Sequence, residues 1–167
     1  MRAVVIREHG GPEVLAFEDR PMPEPGAREI RIRVHAVGLN HLDLWVRGGV
    51  PGHAFPLPIV PGCDAAGVVD RLGPGASGVA LGDEVVVAPG VSCGRCDACR
   101  AGEDPLCRHF GILGESRDGG CQESLVVGDA GCFPKPAGLD WAQAAAVPLT
   151  FLTAWHMLKS RARVQPG

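Results

Sequence analysis

Four of the seven cysteines lie close together in this 167-residue chain, and their spacing restricts what the chain can fold into. They are Cys93, Cys96, Cys99 and Cys107, separated by two, two and seven residues. Thiolate sulfurs are preferred ligands of Zn²⁺, and two-residue spacers let one tight turn supply neighbouring corners of a tetrahedron. The pattern predicts one zinc ion held by four cysteines. Because protein ligands would fill every coordination position, this zinc would be structural rather than catalytic.

Two alternatives use the same cysteines: one or two disulfides, or free thiols. We favour zinc because nothing else in the sequence resembles a secreted protein. The apolar run at residues 1–6 ends at Arg7 and Glu8 and is too short for the core of a signal peptide. Unpaired cysteines then fit a reducing compartment, so we predict a cytoplasmic protein.

Charge and hydropathy exclude two classes of partner. The formal net charge is −3 and the isoelectric point is about 6.0, which gives no basic surface for nucleic acid or an acidic membrane. No apolar run approaches the roughly 18 residues of a membrane span. We therefore expect neither nucleic acid nor a membrane as a partner.

Short apolar segments separated by glycine and proline predict a mainly β chain with short helices. Residues 30–36 alternate apolar and polar side chains, which is typical of a strand with one buried face. Other strands are predicted at 3–6, 14–19, 62–71, 83–88 and 122–127, with an edge strand at 132–136. Helices are predicted at 41–47, after Asn40 as N-cap, at 141–147, after Asp140, and at 149–159. The three tryptophans are expected to pack under these helices.

Residues 73–78 match the pattern G-x-G-x-x-G and follow a predicted strand. A dinucleotide-binding turn of this kind must open a helix whose N-terminus faces the pyrophosphate. Here another strand follows and Pro74 stiffens the turn. We predict a connecting turn that does not bind phosphate.

Several segments, in this order, resemble zinc-type medium-chain dehydrogenases/reductases, the alcohol dehydrogenase/quinone reductase superfamily. They are residues 11–15, 23–26, 38–43, 61–69, 82–85, the cysteine segment and residues 144–155. The resemblance implies a GroES-like, partly closed β-barrel catalytic domain at 1–136, with a zinc lobe at 90–115. It implies that residues 137–167 form a helical connection to a Rossmann domain that binds NAD(P)(H). That domain is absent from this sequence, so we expect the 167-residue chain alone to be inactive.

The positions of a second, catalytic zinc differ from that pattern. Family members with this zinc carry Cys where Asn40 stands, His-Glu where Cys63-Asp64 stands, and a further Cys near Leu149. The hydroxyl that relays the alcohol proton falls at Leu42. The resemblance therefore favours the zinc-free quinone reductase branch. A distorted second zinc at Cys63 and Asp64 is the alternative.

In the zinc-free branch, hydrogen bonds must stabilise the developing oxyanion. Our hypothesis is that Asn40 is catalytic and donates through its amide; the alternative is a helix cap alone. His41 aligns with a family position that contacts the cofactor pyrophosphate; the alternative is a surface residue. Asp43 is expected to be a solvated carboxylate in the first helical turn; the alternative is that it orients one of its neighbours, Asn40 or His41. Cys63 is expected to be a small buried residue, with a nucleophile or metal ligand as the alternative.

The sequence thus predicts part of an NAD(P)(H)-dependent oxidoreductase that reduces enones, quinones or aldehydes when complete, with a small carbonyl or alcohol as substrate. One alternative is an alcohol dehydrogenase with an atypical second zinc. Another is a non-catalytic, zinc-stapled interaction module. A chain without its partner domain should expose the apolar helix at 149–158, and we expect that patch to promote homo-oligomerisation or aggregation.

Overall fold

The computed structural model describes residues 1–165 of the chain. The strands are β1 Arg2–Ile6, β2 Leu15–Asp19, β3 Glu29–Gly38, β4 Asp64–Leu72, β5 Glu84–Val87, β6 Gly90–Val91, β7 Gly111–Ile112, β8 Ser124–Gly128 and β9 Cys132–Pro134. The helices are α1 His41–Gly48, α2 Asp97–Arg100, α3 Trp141–Ala145 and α4 Pro148–Trp155, which continues as a π-helical turn over His156–Arg161. Single 3-10 turns lie at Pro12–Val14, Asp104–Leu106 and Asp129–Gly131. The prediction of a mainly β chain with short helices is confirmed.

The main sheet has five antiparallel strands in the order β8-β3-β4-β5-β9, with β9 at an edge as predicted. Strands β1 and β2 form a separate hairpin, and β6 pairs with β7. The hairpin joins the rest of the fold through single bridges, from Ala3 to Gln122 and from Ile6 to Ile59. The strands therefore form the partly closed arrangement expected from the sequence and do not close into a complete barrel.

Strand β3 shows how the sequence pattern places the core. Ile30 and Ile32 are fully buried, whereas the alternate residues Arg33 and His35 are exposed. The two isoleucines pack with the apolar side chains of β4, β5 and β8 in the largest core cluster. Burial of an aliphatic side chain of this size contributes about 1.5–3 kcal/mol, so this face supplies much of the stability of the sheet.

A second cluster covers the opposite side of β4 and β5. Ala144 and Ala145 of α3 pack against Ala66 and Val86. Asp140 begins α3, because its carboxylate accepts a hydrogen bond from the Gln143 N–H at 2.8 Å and the Gln143 side chain accepts one from Asp140 N–H at 3.1 Å. This capping box confirms the predicted helix start. Only small side chains allow α3 to lie this close to the sheet.

Helix α4 begins at Pro148, close to the predicted start, and presents apolar side chains to solvent. Phe151, Leu152 and Trp155 are all exposed, as the sequence predicted for this helix. The expectation that the tryptophans pack under helices is wrong for Trp155 and Trp45, which are 65% and 51% exposed. Trp141 alone is half-buried, and its ring stacks on His35 at 4.4 Å. The two exposed rings lie on helix faces that the described residues do not cover.

The glycine-rich segment at 73–78 is a turn between β4 and β5, and no helix follows it. The prediction that it is not a dinucleotide-binding turn agrees with this conformation. In the part of the chain that the structure describes, no helix is long and apolar enough to span a membrane. Residues 166–167 of the helical connection predicted at 137–167 lie outside the described residues.

Gly62, just before β4, lies where three segments cross. Its φ of +97° is one that L side chains rarely adopt, and an added Cβ would lie 2.8 Å from Val37 Cγ1 and 2.9 Å from Cys121 Sγ. The backbone carbonyl of Gly62 also accepts a hydrogen bond from Gly120 N–H at 2.7 Å. Glycine at this position is thus required by both conformation and space.

We expect Gly62→Ala to lower the free energy of unfolding by more than about 3 kcal/mol, because it adds a steric clash to an unfavourable φ. Gly82→Ala is the matched control: Gly82 has a φ of +89° and no atom within 4 Å of an added Cβ. The control should lose only about 1 kcal/mol. Urea denaturation of both variants measures the difference, and equal losses would contradict the steric argument.

Candidate functional site

The four clustered cysteines come together in the segment between β6 and β7. Their Sγ atoms all lie within 4.8 Å of one another. Cys96 and Cys99 are separated by 3.5 Å, and Cys93 and Cys99 by 4.0 Å. A tetrahedral zinc with Zn–S bonds of about 2.3 Å holds its sulfurs about 3.8 Å apart. The donor atoms and their spacing therefore fit a four-thiolate zinc site.

Local backbone structure positions each sulfur. Cys96 is the N-cap of α2, so Cys99 follows on the same helical turn, while Cys107 comes directly after the 3-10 turn at Asp104–Leu106. The N–H groups of Cys93 and His109 donate to Cys107 Sγ at 3.4 and 3.3 Å. These hydrogen bonds hold the Cys107 sulfur in place within the cluster.

The cysteines show no sign of the alternative disulfide framework. All seven are free thiols in the structure. The Cys96–Cys99 separation of 3.5 Å is far longer than the roughly 2.05 Å of a disulfide bond. Backbone N–H groups of Arg95 and Cys96 lower the pKa of the Cys93 thiol to about 6, whereas desolvation raises the pKa of the neighbouring Cys99 thiol to about 12.

A second polar cluster forms where β3 ends and α1 and β4 begin. Asn40 is the N-cap residue of α1, and its N–H donates to Asp43 Oδ2 at 2.7 Å. Asp43 Oδ1 accepts a hydrogen bond from Gly62 N–H at 2.8 Å. Asp43 is only 8% exposed, so the expectation of a solvated first-turn carboxylate is wrong. The reason is that the buried Gly62 N–H needs an acceptor.

The amide nitrogen of the Asn40 side chain points into this cluster. Its Nδ2 donates to Asp64 Oδ2 at 2.9 Å and to Cys63 Sγ at 3.2 Å. Asp64 Oδ1 in turn accepts a hydrogen bond from Leu149 N–H at 2.9 Å, at the start of α4. Asn40 is also the N-cap of α1 and forms a capping box with Asp43.

This geometry changes the hypothesis for Asn40. The hypothesis had the amide donating to a substrate oxyanion, but both of its hydrogens are used inside the protein. The contact between Asp64 and Leu149 was not found from the sequence, because residues 85 positions apart in the chain carry no local signal of their pairing. The available signal is the Asp64 carboxylate at the start of a buried strand. A buried carboxylate must have a hydrogen-bond partner, but the sequence does not show which residue supplies it.

Burial dominates the electrostatics of this cluster. It raises the pKa of both Asp43 and Asp64. Burial, reinforced by these two carboxylates, also raises the pKa of the Cys63 thiol to about 12. Cys63 is fully buried and stays a neutral thiol near pH 7, which confirms its prediction as a small buried residue.

The same cluster does not resemble a second metal site. Within residues 1–165 the four-cysteine group is the one set of three or more His, Cys, Asp or Glu side chains close enough to share an ion. The Asn40 amide instead bridges Cys63 and Asp64, the two groups that a second zinc would need. A metal there would have to displace this amide.

His41 lies at the first position of α1 and is exposed. Its ring meets the ring of Trp45 edge-on, with centroids 5.2 Å apart. An exposed imidazole at a helix N-terminus is free to meet an anionic group from outside this chain. Its contact with a cofactor pyrophosphate stays a prediction.

The alcohol dehydrogenase GroES-like domain family model matches residues 26–137. The chain belongs to this family. Among curated relatives of this GroES-like chain, an alcohol dehydrogenase of Schizosaccharomyces pombe is 31% identical over 166 residues, which cover 99% of this chain and 47% of the relative. A quinone oxidoreductase of Rattus norvegicus is 32% identical over 168 residues, covering 100% of this chain and 43% of the relative. The GroES-like chain thus spans less than half the length of these relatives.

Solved structures agree with this assignment. An NAD-dependent alcohol dehydrogenase is 56% identical with a TM-score of 0.95, and the match covers 100% of this chain and 49% of that one. A cobalt- and zinc-bound thermostable alcohol dehydrogenase from Pyrobaculum aerophilum is 38% identical with a TM-score of 0.88, covering 100% and 50%. The resemblance to medium-chain dehydrogenases/reductases seen in the sequence is confirmed.

We expect the purified GroES-like chain to contain one zinc ion, and Cys107→Ser to lose it, because serine is a poor zinc ligand. Cys121→Ser is the control, since Cys121 is half-buried and outside the cluster. Elemental analysis gives the zinc concentration, and dividing it by the protein concentration gives the number of zinc ions per chain. A metal-free wild-type chain that is still folded would contradict the assignment.

The raised pKa of Asp43 predicts a pH dependence of stability. The folded chain holds this proton more tightly than the unfolded chain, so the contribution favours folding at low pH. It is lost as the pH rises from about 4, the ordinary Asp value, through the raised folded pKa. We expect the free energy of unfolding of the wild type to fall across this window relative to that of Asp43→Asn. Urea titrations at several pH values test this, and a difference that is constant or grows with pH would refute it.

Proposed function

We propose that this chain is the catalytic-domain part of an NAD(P)(H)-dependent oxidoreductase that, in the full-length enzyme, reduces enones, quinones or aldehydes. Support comes from family membership and from relatives named alcohol dehydrogenase and quinone oxidoreductase. In this proposal, residues 1–136 are the catalytic domain and residues 90–115 its zinc lobe. Residues 137–167 lead to a nucleotide-binding domain.

The observation that carries the choice of reaction is the Asn40 amide between Cys63 and Asp64. An amide that donates to both groups takes the place of the soft ligand that a catalytic zinc would require. Carbonyl reduction without a Lewis acid then depends on hydrogen bonds and on the placement of the hydride donor. Asn40 stays the proposed catalytic residue, which requires its amide to exchange the hydrogen bond to Cys63 Sγ for one to the substrate oxygen.

Zinc in the proposal has a structural role. Cys93, Cys96, Cys99 and Cys107 would hold it, and the bound ion supplies a cross-link that fixes the lobe. Their sulfurs already lie within 4.8 Å of one another, so little rearrangement is needed. With four thiolates as ligands, no coordination position is open to substrate.

The exposed apolar surface of α4 is the part of the chain that we expect to bind the nucleotide-binding domain. Phe151, Leu152 and Trp155 are exposed apolar side chains on α4, with Trp155 four and three residues beyond the other two, and grouped exposed apolar residues of this kind mark interaction surfaces. We propose that this domain covers that face, and that His41 then contacts the cofactor pyrophosphate. A reducing, cytoplasmic location fits the seven free cysteines.

A second candidate is an alcohol dehydrogenase with an atypical zinc at Cys63 and Asp64. The observation in its favour is the 56% identity to a structure named NAD-dependent alcohol dehydrogenase. Metal binding there would require the Asn40 amide to turn away from both groups.

Zinc content and turnover of the full-length gene product separate the two candidates. We expect one zinc per chain, and reduction of 2-cyclohexenone with NADH or NADPH. Two zinc ions together with oxidation of cyclohexanol by NAD⁺ or NADP⁺ would favour the dehydrogenase. The 167-residue chain alone should show no turnover, and activity from it would refute the need for a second domain.

A further inference from the structure

The cysteine lobe leaves and re-enters the fold through two very short strands. β6 and β7 are two residues each, and residues 92–110 lie between them. A two-stranded ladder is marginally stable by itself in water. Cys93 and Cys107 lie near the two ends of the lobe, and the Cys93 N–H donates to Cys107 Sγ at 3.4 Å. A bound ion that holds both sulfurs would therefore keep β6 and β7 paired.

The segment that follows β7, residues 113–121, is called the strap below, and its first half is fastened to the base of the lobe. The Leu113 N–H donates to the Pro89 carbonyl at 2.9 Å, and the Leu113 side chain is buried in the main core. Ser116 Oγ accepts the Ile112 N–H at 2.9 Å and donates to the Ile112 carbonyl at 3.1 Å. The position of β7 thus sets the position of the strap.

The second half of the strap lies on the backbone that leads into β4. The Gly119 N–H donates to the Val60 carbonyl at 2.7 Å, and the Asp118 carboxylate accepts the Val60 N–H at 2.9 Å. Gly114 approaches the same backbone so closely that an added Cβ would lie 2.7 Å from Gly62 N. Because the two backbones pack directly against each other, a shift of one requires a shift of the other.

The same backbone holds the Asn40 cluster, which consists of Asn40, Asp43, Cys63 and Asp64. The Gly62 N–H donates to Asp43 Oδ1, and Asp43 Oδ2 accepts the Asn40 N–H. Gly62 is followed directly by Cys63 and Asp64, the two partners of the Asn40 amide. A continuous series of hydrogen bonds and close contacts therefore runs from the cysteine lobe, through the strap, to the start of α1.

We propose that the strap couples the cysteine lobe to the Asn40 cluster, so that zinc binding in the lobe stabilises the candidate site from a distance. Zinc then regulates this site as well as cross-linking the lobe. The inference rests on the proposed function for the bound metal, and it adds the segment that transmits the effect of the metal. Linkage makes such a coupling reciprocal, so a change that loosens the Gly62 crossing must also weaken zinc binding.

Zinc affinity tests this reciprocity on the 167-residue chain, by competition with a chromogenic chelator. Asp43→Ala removes the acceptor of the Gly62 N–H and lies outside the four-cysteine group. We expect it to weaken zinc binding by a factor on the order of ten, within the usual range for coupled sites. Asp140→Ala is the matched control, because it also removes a capping-box carboxylate, but from α3 on the opposite side of β4 and β5. Its zinc affinity should equal that of the wild type.

Hydrogen exchange of single amides, followed by NMR, tests the coupling in the wild type, where no variant has to fold. Removal of zinc with a chelator should speed exchange of the Gly62 N–H by a similar factor, and restored zinc should reverse the change. The Val69 N–H is the internal control, because it donates to the Asp83 carbonyl at 2.9 Å in the other half of β4. Its exchange rate should change by less than about twofold.

Asp118→Ala assigns the effect to the strap, because it removes the side-chain anchor of the strap on the Val60 N–H. One hydrogen bond accounts for a factor of about three or more, so the effect of zinc on Gly62 exchange should fall to about threefold or less. Arg20→Gln is the matched control, since it removes only the other partner of the Asp118 carboxylate. It should keep the wild-type dependence on zinc.

Equal zinc affinities of the wild type and a folded Asp43→Ala would overturn the coupling, as would Gly62 exchange that does not respond to zinc. Equal loss of protection at Gly62 and Val69 would overturn it as well, because the whole sheet would then respond. A full zinc effect in Asp118→Ala would remove the role of the strap.

These outcomes are distinct from those of the proposed function. A chain that binds no zinc would refute the zinc site together with this inference, whereas zinc binding without a response at Gly62 would refute the coupling alone. A full-length enzyme that transfers no hydride would refute the proposed reaction and leave the coupling intact.

Discussion

The crossing of backbone segments at Gly62 is the constraint on which the candidate site depends. The Gly62 N–H is bound by the Asp43 carboxylate of α1, and its carbonyl accepts from Gly120 on the segment that leads to β8. Because Gly62 directly precedes Cys63 and Asp64, this crossing sets where both side chains enter the site. Any shift of the crossing would move α1 and β4 relative to each other, and Asn40 would lose its partners.

The two polar clusters of the chain are built in different ways. The four cysteines come from one short segment, and local turns bring their sulfurs together. The Asn40 cluster instead collects groups from the end of β3, the start of β4 and the start of α4. The first is a local arrangement that a metal can hold, whereas the second exists only when the sheet and its covering helices are assembled.

The chain keeps the family fold, and its Asn40 cluster is held together by hydrogen bonds between its own side chains. The sheet, the lobe and the covering helices follow the GroES-like pattern closely, with a TM-score of 0.95 to one dehydrogenase structure. At Asn40 an amide satisfies a buried thiol and a buried carboxylate through hydrogen bonds. In such a network every buried polar group needs a hydrogen-bond partner. Both Asp64 oxygens have one, from the Asn40 amide and from Leu149 N–H.

The sequence by itself determined strands β1–β5, β8 and β9, the starts of α1 and α3 and the cysteine spacing, because these follow from local periodicity, capping residues and short cysteine spacers. Alternation along β3 and the Asp140 cap show this directly. Only the tertiary structure decided the burial of Asp43, the exposure of Trp45 and the direction of the Asn40 amide. Each of these depends on partners distant in the chain, and no local pattern encodes which buried donor will meet which acceptor.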